Sequence, residues 1–155
     1  MDQELQNQLF EKYPDLFSNR TKSPRESCMA WGIEIGNGWY DILSSLCWRI
    51  QDHEENIKWQ REYKEKQNQD IKKDFSIEII EEDERYFPVK FDQIKEKFGG
   101  LRIYYSGGDS YIHGAISMAE EISYKICEVC GNSGKPNKGG WIVTLCENCR
   151  TATNS

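Results

Sequence analysis

Four cysteines, arranged as Cys127-x-x-Cys130 and Cys146-x-x-Cys149, carry the plainest chemistry in this chain. Each pair sets two sulfurs on one tight knuckle, and the intervening 15 residues give the spacing of a four-thiolate zinc site. Gly131, directly after Cys130, frees the backbone where the first knuckle must turn. A redox reading of one pair fails, because there are two pairs and no βαβ setting around either. Four thiolates also close the coordination sphere, whereas a catalytic zinc keeps a position for water. The expectation is one structural Zn2+ per chain on Cys127, Cys130, Cys146 and Cys149. It would staple the end of the preceding helix to the body, with Trp141 and Ile142 packed between the knuckles.

The second chemical stretch is KEKFGGLRIYYSGGD, residues 95–109. Gly99-Gly100 reads as a two-residue hairpin turn, which pairs Phe98 with Leu101, Lys97 with Arg102, Glu96 with Ile103 and Lys95 with Tyr104. Leu101, Ile103 and Tyr105 then share one face, and Lys95, Lys97, Arg102 and Tyr104 the other. Like charges opposite one another are a local cost that a bound anion would offset. Tyr104 adds a ring on which a base could stack. The strand leaves through Gly107 and Gly108 into a helix N-terminus, where free N–H groups can cradle a phosphate. The Gly-Lys-Ser/Thr ending of a P-loop is missing, and Asp109 as N-cap would compete with an anion. Alternatives are a solvated basic face, pairing with the acids at 81–84, or a register displaced by one residue. The histidines are His53 and His113. His113 falls beside the glycine loop, within reach of a ligand or simply on the surface. No nucleophile–base or carboxylate pair stands at convincing spacing, which disfavours an enzyme.

These groups need elements to hold them. Residues 3–13 predict a short helix bearing Leu5, Leu9 and Phe10, stopped by Pro14, and 14–30 reads as loop. Trp31 and Trp39 flank the turn Gly36-Asn37-Gly38. A long helix follows over about 38–68, with Trp39, Leu43, Leu46 and Ile50 on one face. Ile42, Cys47 and Trp48 make its first half apolar all round, so that half is expected to be enclosed. Beyond residue 51 the stripe thins to Ile57, which predicts a solvated extension or a helix awaiting a partner subunit. A strand is expected at 75–80, a hairpin over about 87–106 and a second helix over about 109–126, capped by Asp109 or Ser110. Its stripe is Ile112, Ile116, Ala119, Ile122 and Ile126. The fold class is therefore α+β: a compact core domain over 1–126 and a zinc ribbon over 127–150 packed on it.

Length and charge bound the rest. At 155 residues the chain can bury one real core, and five Trp, eight Tyr and six Phe compensate for an apolar fraction of 37%. A net charge of −6 argues against coating nucleic acid, which calls for a basic footprint. No run of 18 or more apolar residues predicts a membrane span, and MDQELQNQLFEKY does not resemble a secretory signal. The expected compartment is a reducing cytosol, where paired cysteines are metal ligands rather than disulfides. Cys28 and Cys47, set among Met, Trp and Leu, read as buried small hydrophobes.

GNGWYDILSSLCWRIQ, KEKFGGLRIYYSGGD and CEVCG…GGW…TLCENC, in that order, resemble a family of small bacteriophage and prophage proteins. The likeness spans about residues 25–150 and is least distinctive over 54–85. Such accessory proteins are often directed against host defence, and one strategy is a sponge that sequesters a nucleotide immune signal without cleaving it. The resemblance then implies a cytosolic, non-enzymatic binder of a cyclic nucleotide or ADP-ribose-type signal. Lys95, Lys97, Arg102, Gly107 and Gly108 would meet its phosphates, and Tyr104, Tyr105, Trp31 or Trp39 its base. The pocket could be shared between subunits of a homo-oligomer. A second reading is a zinc-ribbon module that binds a host defence protein or, more weakly, nucleic acid through Lys135 and Lys138. A third is a hydrolase of the same nucleotides.

Overall fold

A computed structural model of the chain describes residues 1–74 and 86–153, with elements in the order α1 (Gln3–Lys12), β1 (Ile33–Glu34), α2 (Tyr40–Asp74), β2 (Lys90–Lys97), β3 (Gly100–Ser106), α3 (Ser110–Ser123), β4 (Lys135–Pro136), β5 (Thr144–Leu145) and α4 (Glu147–Thr153). The strand expected at 75–80 and the acidic loop at 81–84 lie outside the described residues. The architecture is α+β. Among the described residues, one sheet has the order β1-β2-β3 and a second, small ladder joins β4 to β5.

Apolar spacing explains the helices. Leu9 and Phe10 are the buried side of α1, and Phe10 meets Phe17 edge-on at 5.1 Å. In α2, Trp39 just ahead of its first residue, then Leu43, Leu46 and Ile50, form the buried stripe. In α3 the buried stripe is Ile112, Ile116 and Ala119, whereas Ile122, expected on it, is exposed and Ile126, just past the helix, is half-buried. Phe91, Ile94, Leu101 and Ile103 of the sheet complete one core with them. No helix among the described residues is long and apolar enough to cross a membrane.

The hairpin register differs from the sequence expectation. The turn residues are Phe98 and Gly99, not the glycine pair, so Lys97 lies opposite Gly100, Glu96 opposite Leu101, Lys95 opposite Arg102 and Gln93 opposite Tyr104. Phe98 at φ 55° and Gly99 at φ 76° make the mirror-image turn that suits twisted strands. Two contacts select it. The Gly99 N–H donates to Glu96 Oε1 at 2.6 Å, and Gly100 lies so close under the Tyr124 ring that a Cβ there would meet Cζ at 2.3 Å. Moving the turn by one residue shifts the pairing by two, which preserves the alternation, so Lys95, Lys97, Arg102 and Tyr104 still share one face.

Two apolar expectations fail, at Trp48 and at Cys28, and Trp48 fails because α2 is enclosed on one side only. Trp48 is half exposed rather than enclosed, and Trp31 projects into solvent while Trp39 is fully buried. Cys28 is exposed, whereas Cys47 is buried among core residues and its thiol is pushed up by burial. The helix also runs on to Asp74, and the described side chains of its distal half are exposed except Ile57 and Asn68, which are half-buried.

The sheet edges are covered by short-range polar contacts. On the β3 edge the Leu101 N–H donates to Ser123 Oγ at 2.8 Å and the Ile103 N–H to Glu120 Oε1 at 2.8 Å, so α3 occupies positions a fourth strand would take. On the other side β1 pairs in parallel with β2, and upstream of it the Phe91 N–H donates to the Leu16 carbonyl at 2.9 Å. A bulge between Phe91 and Gln93 turns Asp92 towards Asn19, whose Nδ2 donates to Asp92 Oδ1 at 2.9 Å and to the Phe91 carbonyl at 3.0 Å.

Candidate metal centre and the hairpin face

The end of α3 runs straight into the first knuckle. The Cys127 N–H donates to the Asn132 carbonyl at 2.7 Å and the Gly131 N–H to the Cys127 carbonyl at 2.9 Å, folding residues 127–132 into a tight loop. Gly131 sits at φ +77°, the left-handed conformation expected after Cys130. The second knuckle opens α4, with the Cys149 N–H directed at Cys146 Sγ at 3.4 Å. The four sulfurs of Cys127, Cys130, Cys146 and Cys149 all lie within 4.8 Å of one another. Cys130 Sγ and Cys146 Sγ are 3.6 Å apart, close to the ~3.8 Å edge of a tetrahedron with zinc–sulfur bonds of about 2.3 Å. Asn132 Nδ2 also donates towards Cys130 Sγ at 3.3 Å, as a partner of thiolate charge would. Hydrogen bonding to Cys146 and then Cys130 pushes the Cys149 thiol up to about 12. A cation resolves that crowding, because metal binding releases the protons.

The cluster sits at the meeting point of three distant segments. The Gly38 N–H donates to the Glu128 carbonyl at 2.8 Å, and the Gly36 N–H to Glu128 Oε1 at 3.1 Å. Trp39 Nε1 donates to the Ile126 carbonyl at 2.8 Å. Thr144 Oγ1 donates to the Gly99 carbonyl at 2.6 Å, and the Glu128 N–H to the Thr144 carbonyl at 2.9 Å. The start of α2, the hairpin turn and both knuckles are thus joined through polar bonds that are buried or half-buried. Burial raises the Glu128 carboxyl above its ordinary range against the opposing pull of the Gly36 N–H. Trp141 does not pack between the knuckles as expected; it is 80% exposed, and Ile142 instead lies against Gly99. Gly36, Gly38, Glu128 and Thr144 escaped the sequence reading of the site. The glycine pair flanking Asn37 was their only signal.

The hairpin face brings together some of the expected anion ligands and engages others. Arg102 Nη1 is 2.7 Å from Glu120 Oε2, and Nη2 donates to the Tyr124 hydroxyl at 3.2 Å, so its charge is matched within the chain. Lys95 lies 5.2 Å over the Tyr104 ring and Lys97 5.5 Å over the Phe98 ring. Among the described residues neither lysine has a carboxylate within 4 Å. Trp39 is in the core, away from any ligand, and Trp31 is on the surface. Tyr105 points to the other side of the strand from Tyr104, with its hydroxyl 3.2 Å from His113 Nδ1.

The phosphate cradle is filled by the chain itself. The Gly108 N–H donates to the Phe87 carbonyl at 2.7 Å, and Gly107 fits tightly against Pro88. Asp109 caps α3: Oδ1 accepts from the Ile112 N–H at 3.0 Å and Oδ2 lies 2.8 Å from His53 Nε2. His53 in turn stacks on Tyr111 at 4.3 Å, tying α2 to α3. Partial burial works to raise the Asp109 carboxyl, but the bonds from His53 and the helix-end amides outweigh it and hold the group below the ordinary aspartate value. A folded value below the unfolded one stabilises the fold above the ordinary carboxylate range, and that contribution is lost as pH falls through the folded value. Asp109→Ala should therefore cost about 1–2 kcal/mol at neutral pH. Urea titrations at stepped pH should show the gap to wild type narrowing as pH drops below about 4.

No protein-family model, curated protein or solved structure matches this chain.

Proposed function

We propose that this chain is a non-enzymatic interaction protein in which a structural zinc ion, bound by the four cysteines, fixes one end of the molecule for docking on a protein partner. The observation that carries this reading is the pair of large aromatic side chains at that end. Trp141 of the ribbon and Phe98 of the hairpin turn are 80% and 66% exposed, on segments locked together through Gly99, Ile142 and Thr144. Exposed Trp and Phe on a rigid frame are the side chains that dominate binding energy when a partner buries them. An all-sulfur donor set suits zinc, and four thiolates leave no open position for catalysis. The resemblance to bacteriophage proteins would make the partner a host defence protein.

The test uses the double variant Phe98→Ala/Trp141→Ala. A partner captured from host lysate by the wild-type protein, then purified, should bind the variant at least about 100-fold more weakly, since two such anchors each contribute roughly 2 kcal/mol or more. Unchanged circular dichroism and metal content would show the frame intact. Equal binding by the variant would remove this end as the docking site.

The nucleotide sponge is the second reading, and Lys95 and Lys97 beside the Tyr104 and Phe98 rings favour it. Matched Arg102 and the capped α3 end weigh against it. Native mass spectrometry after incubation with cyclic nucleotides and ADP-ribose derivatives separates the two. A ligand retained intact by wild type and lost in Lys95→Ala/Lys97→Ala would restore the sponge. Turnover of any of these compounds would point instead to a hydrolase.

A further inference from the structure

A second surface stands apart from the ribbon end. Along α2, Trp48, Asp52, Glu55, Trp59, Tyr63 and Lys66 recur at steps of three and four residues and so line one face of the helix. That face is opposite the buried stripe of Leu43, Leu46 and Ile50. Trp48, Trp59 and Tyr63 are each at least half exposed, and among the described residues no element packs over Trp59 or Tyr63. The Trp59 and Tyr63 rings stack on one another at 5.4 Å with only 13° between their planes, making a flat apolar plate. Single exposed aromatics are ordinary, but three on one stripe of a polar helix call for a partner.

The charges along the stripe identify that partner. Asp52 and Glu55 lie on the N-terminal side of Trp59, whereas Lys66 lies on the C-terminal side beyond Tyr63. A helix with acid before and base after a central aromatic complements itself when inverted. We infer that a second copy of this chain pairs with α2 in antiparallel orientation about a two-fold axis at Trp59. The stripe then stacks Trp59 on Trp59 of the second copy. It sets Asp52 opposite Lys66, and Glu55 opposite Tyr63, of the other chain. Each acid reaches across through its second carboxylate oxygen, since within its own chain one Asp52 oxygen is 3.1 Å from Arg49 Nη1 and Glu55 Oε1 accepts from Gln51 Nε2 at 3.0 Å. The Tyr63 hydroxyl accepts a bond from Gln67 Nε2 at 3.0 Å, which leaves its proton free to donate to that glutamate. Antiparallel helix dipoles add to the attraction.

Space permits the pairing. Trp48 borders a cleft of about 440 Å³ between Lys12 and Tyr13 at the end of α1 and Ser44, Ser45 and Arg49 of α2. The C-terminal end of the second copy's α2 would lie along this cleft. Helix contact from residue 45 to 73 is ~42 Å long, and a strip about 10 Å wide gives ~400 Å² in projection, rising towards the ~800 Å² per partner of a stable interface as side chains interdigitate. The interface is isologous, so each charge contact occurs twice. This inference is independent of docking at the ribbon end.

Sedimentation equilibrium on the full chain tests it. The wild type should be a reversible dimer, and Trp59→Ala/Tyr63→Ala a folded monomer. Lys66→Glu and Asp52→Lys should each weaken dimerisation by roughly tenfold, because each reverses two contacts per dimer. Asp52→Lys/Lys66→Glu should recover most of that loss, an outcome that a foreign partner or loss of folding cannot mimic. The pairing is overturned if the wild type stays monomeric to about 100 μM, well above the range of stable interfaces. It is equally overturned if the single reversals leave the dimer unchanged, or if the combined variant is no stronger than either one.

Discussion

Stripping the proposed metal with a strong chelator should unfold far more than the cysteine loops. Hydrogen exchange should speed up at Gly36 and Gly38, at Gly99 and Leu101 in the hairpin, and at Trp39, as well as around the cysteines. The reason is the set of bonds the knuckles make: Glu128 with Gly36 and Gly38, Ile126 with the Trp39 indole, and Thr144 with Gly99. Each depends on knuckle geometry that four unbound thiols within 4.8 Å of one another do not enforce. Structural zinc contributes an apparent ~10–16 kcal/mol in small zinc-finger peptides, about as much as the ~5–15 kcal/mol that holds an entire domain folded. A collapse of the cooperative thermal transition is thus the expected result, reversed by adding zinc back. If elemental analysis shows the ion gone while the melting temperature and exchange pattern persist, the frame does not depend on a metal.

The largest effect expected from one added methyl group is at Gly38. A Cβ there would lie 2.1 Å from the Cys127 carbonyl oxygen, 2.5 Å from the Gly131 nitrogen and 2.8 Å from the Cys130 nitrogen. All three are backbone atoms of the knuckle that aims two sulfurs, so no side chain can swing aside to make room. Gly38→Ala should cost about 3 kcal/mol or more, at the upper end of overpacking effects. Metal affinity should fall with it, by roughly tenfold or more in a competition titration. Gly114→Ala supplies the contrast. It lies within α3 with nothing inside 4 Å of its missing Cβ, so alanine there should stabilise by about 0.5–1 kcal/mol. Gly38→Ala behaving like Gly114→Ala in both melting temperature and metal titration would mean that the knuckle does not dock on this loop.

The same residues show what a one-dimensional reading could reach. Cysteine spacing, the Asp109 cap, the buried stripe of α2 and the first three members of that of α3 are local properties, set by a tight loop, a helix end and a 3.6-residue period, and they were legible in advance. The hairpin turn was not. Gly99-Gly100 satisfies the turn on its own, and only the Tyr124 ring over Gly100 and the Glu96 carboxylate on the Gly99 N–H move it to Phe98-Gly99. Arg102 looked available for an anion because its partner, Glu120, is on another element, and pairing across elements leaves no periodic trace. Trp31 and Trp39, so similar in context, were separated by whether Ile126 lay within reach of the indole. Trp48 misled because aromatic residues on both sides of a helix suggest enclosure whether or not a second layer exists.

The contact between Gly36 and Glu128 spans 92 positions in the chain, and this separation sets an order on synthesis. A ribosome moving at about 5–20 residues per second delivers the last cysteine on the order of ten seconds after the glycine loop has emerged. Through that interval α2 can form, but the Trp39 indole lacks its carbonyl and the hairpin turn lacks Thr144. The nascent chain must therefore travel with an unfinished core until the second cysteine pair arrives to close it.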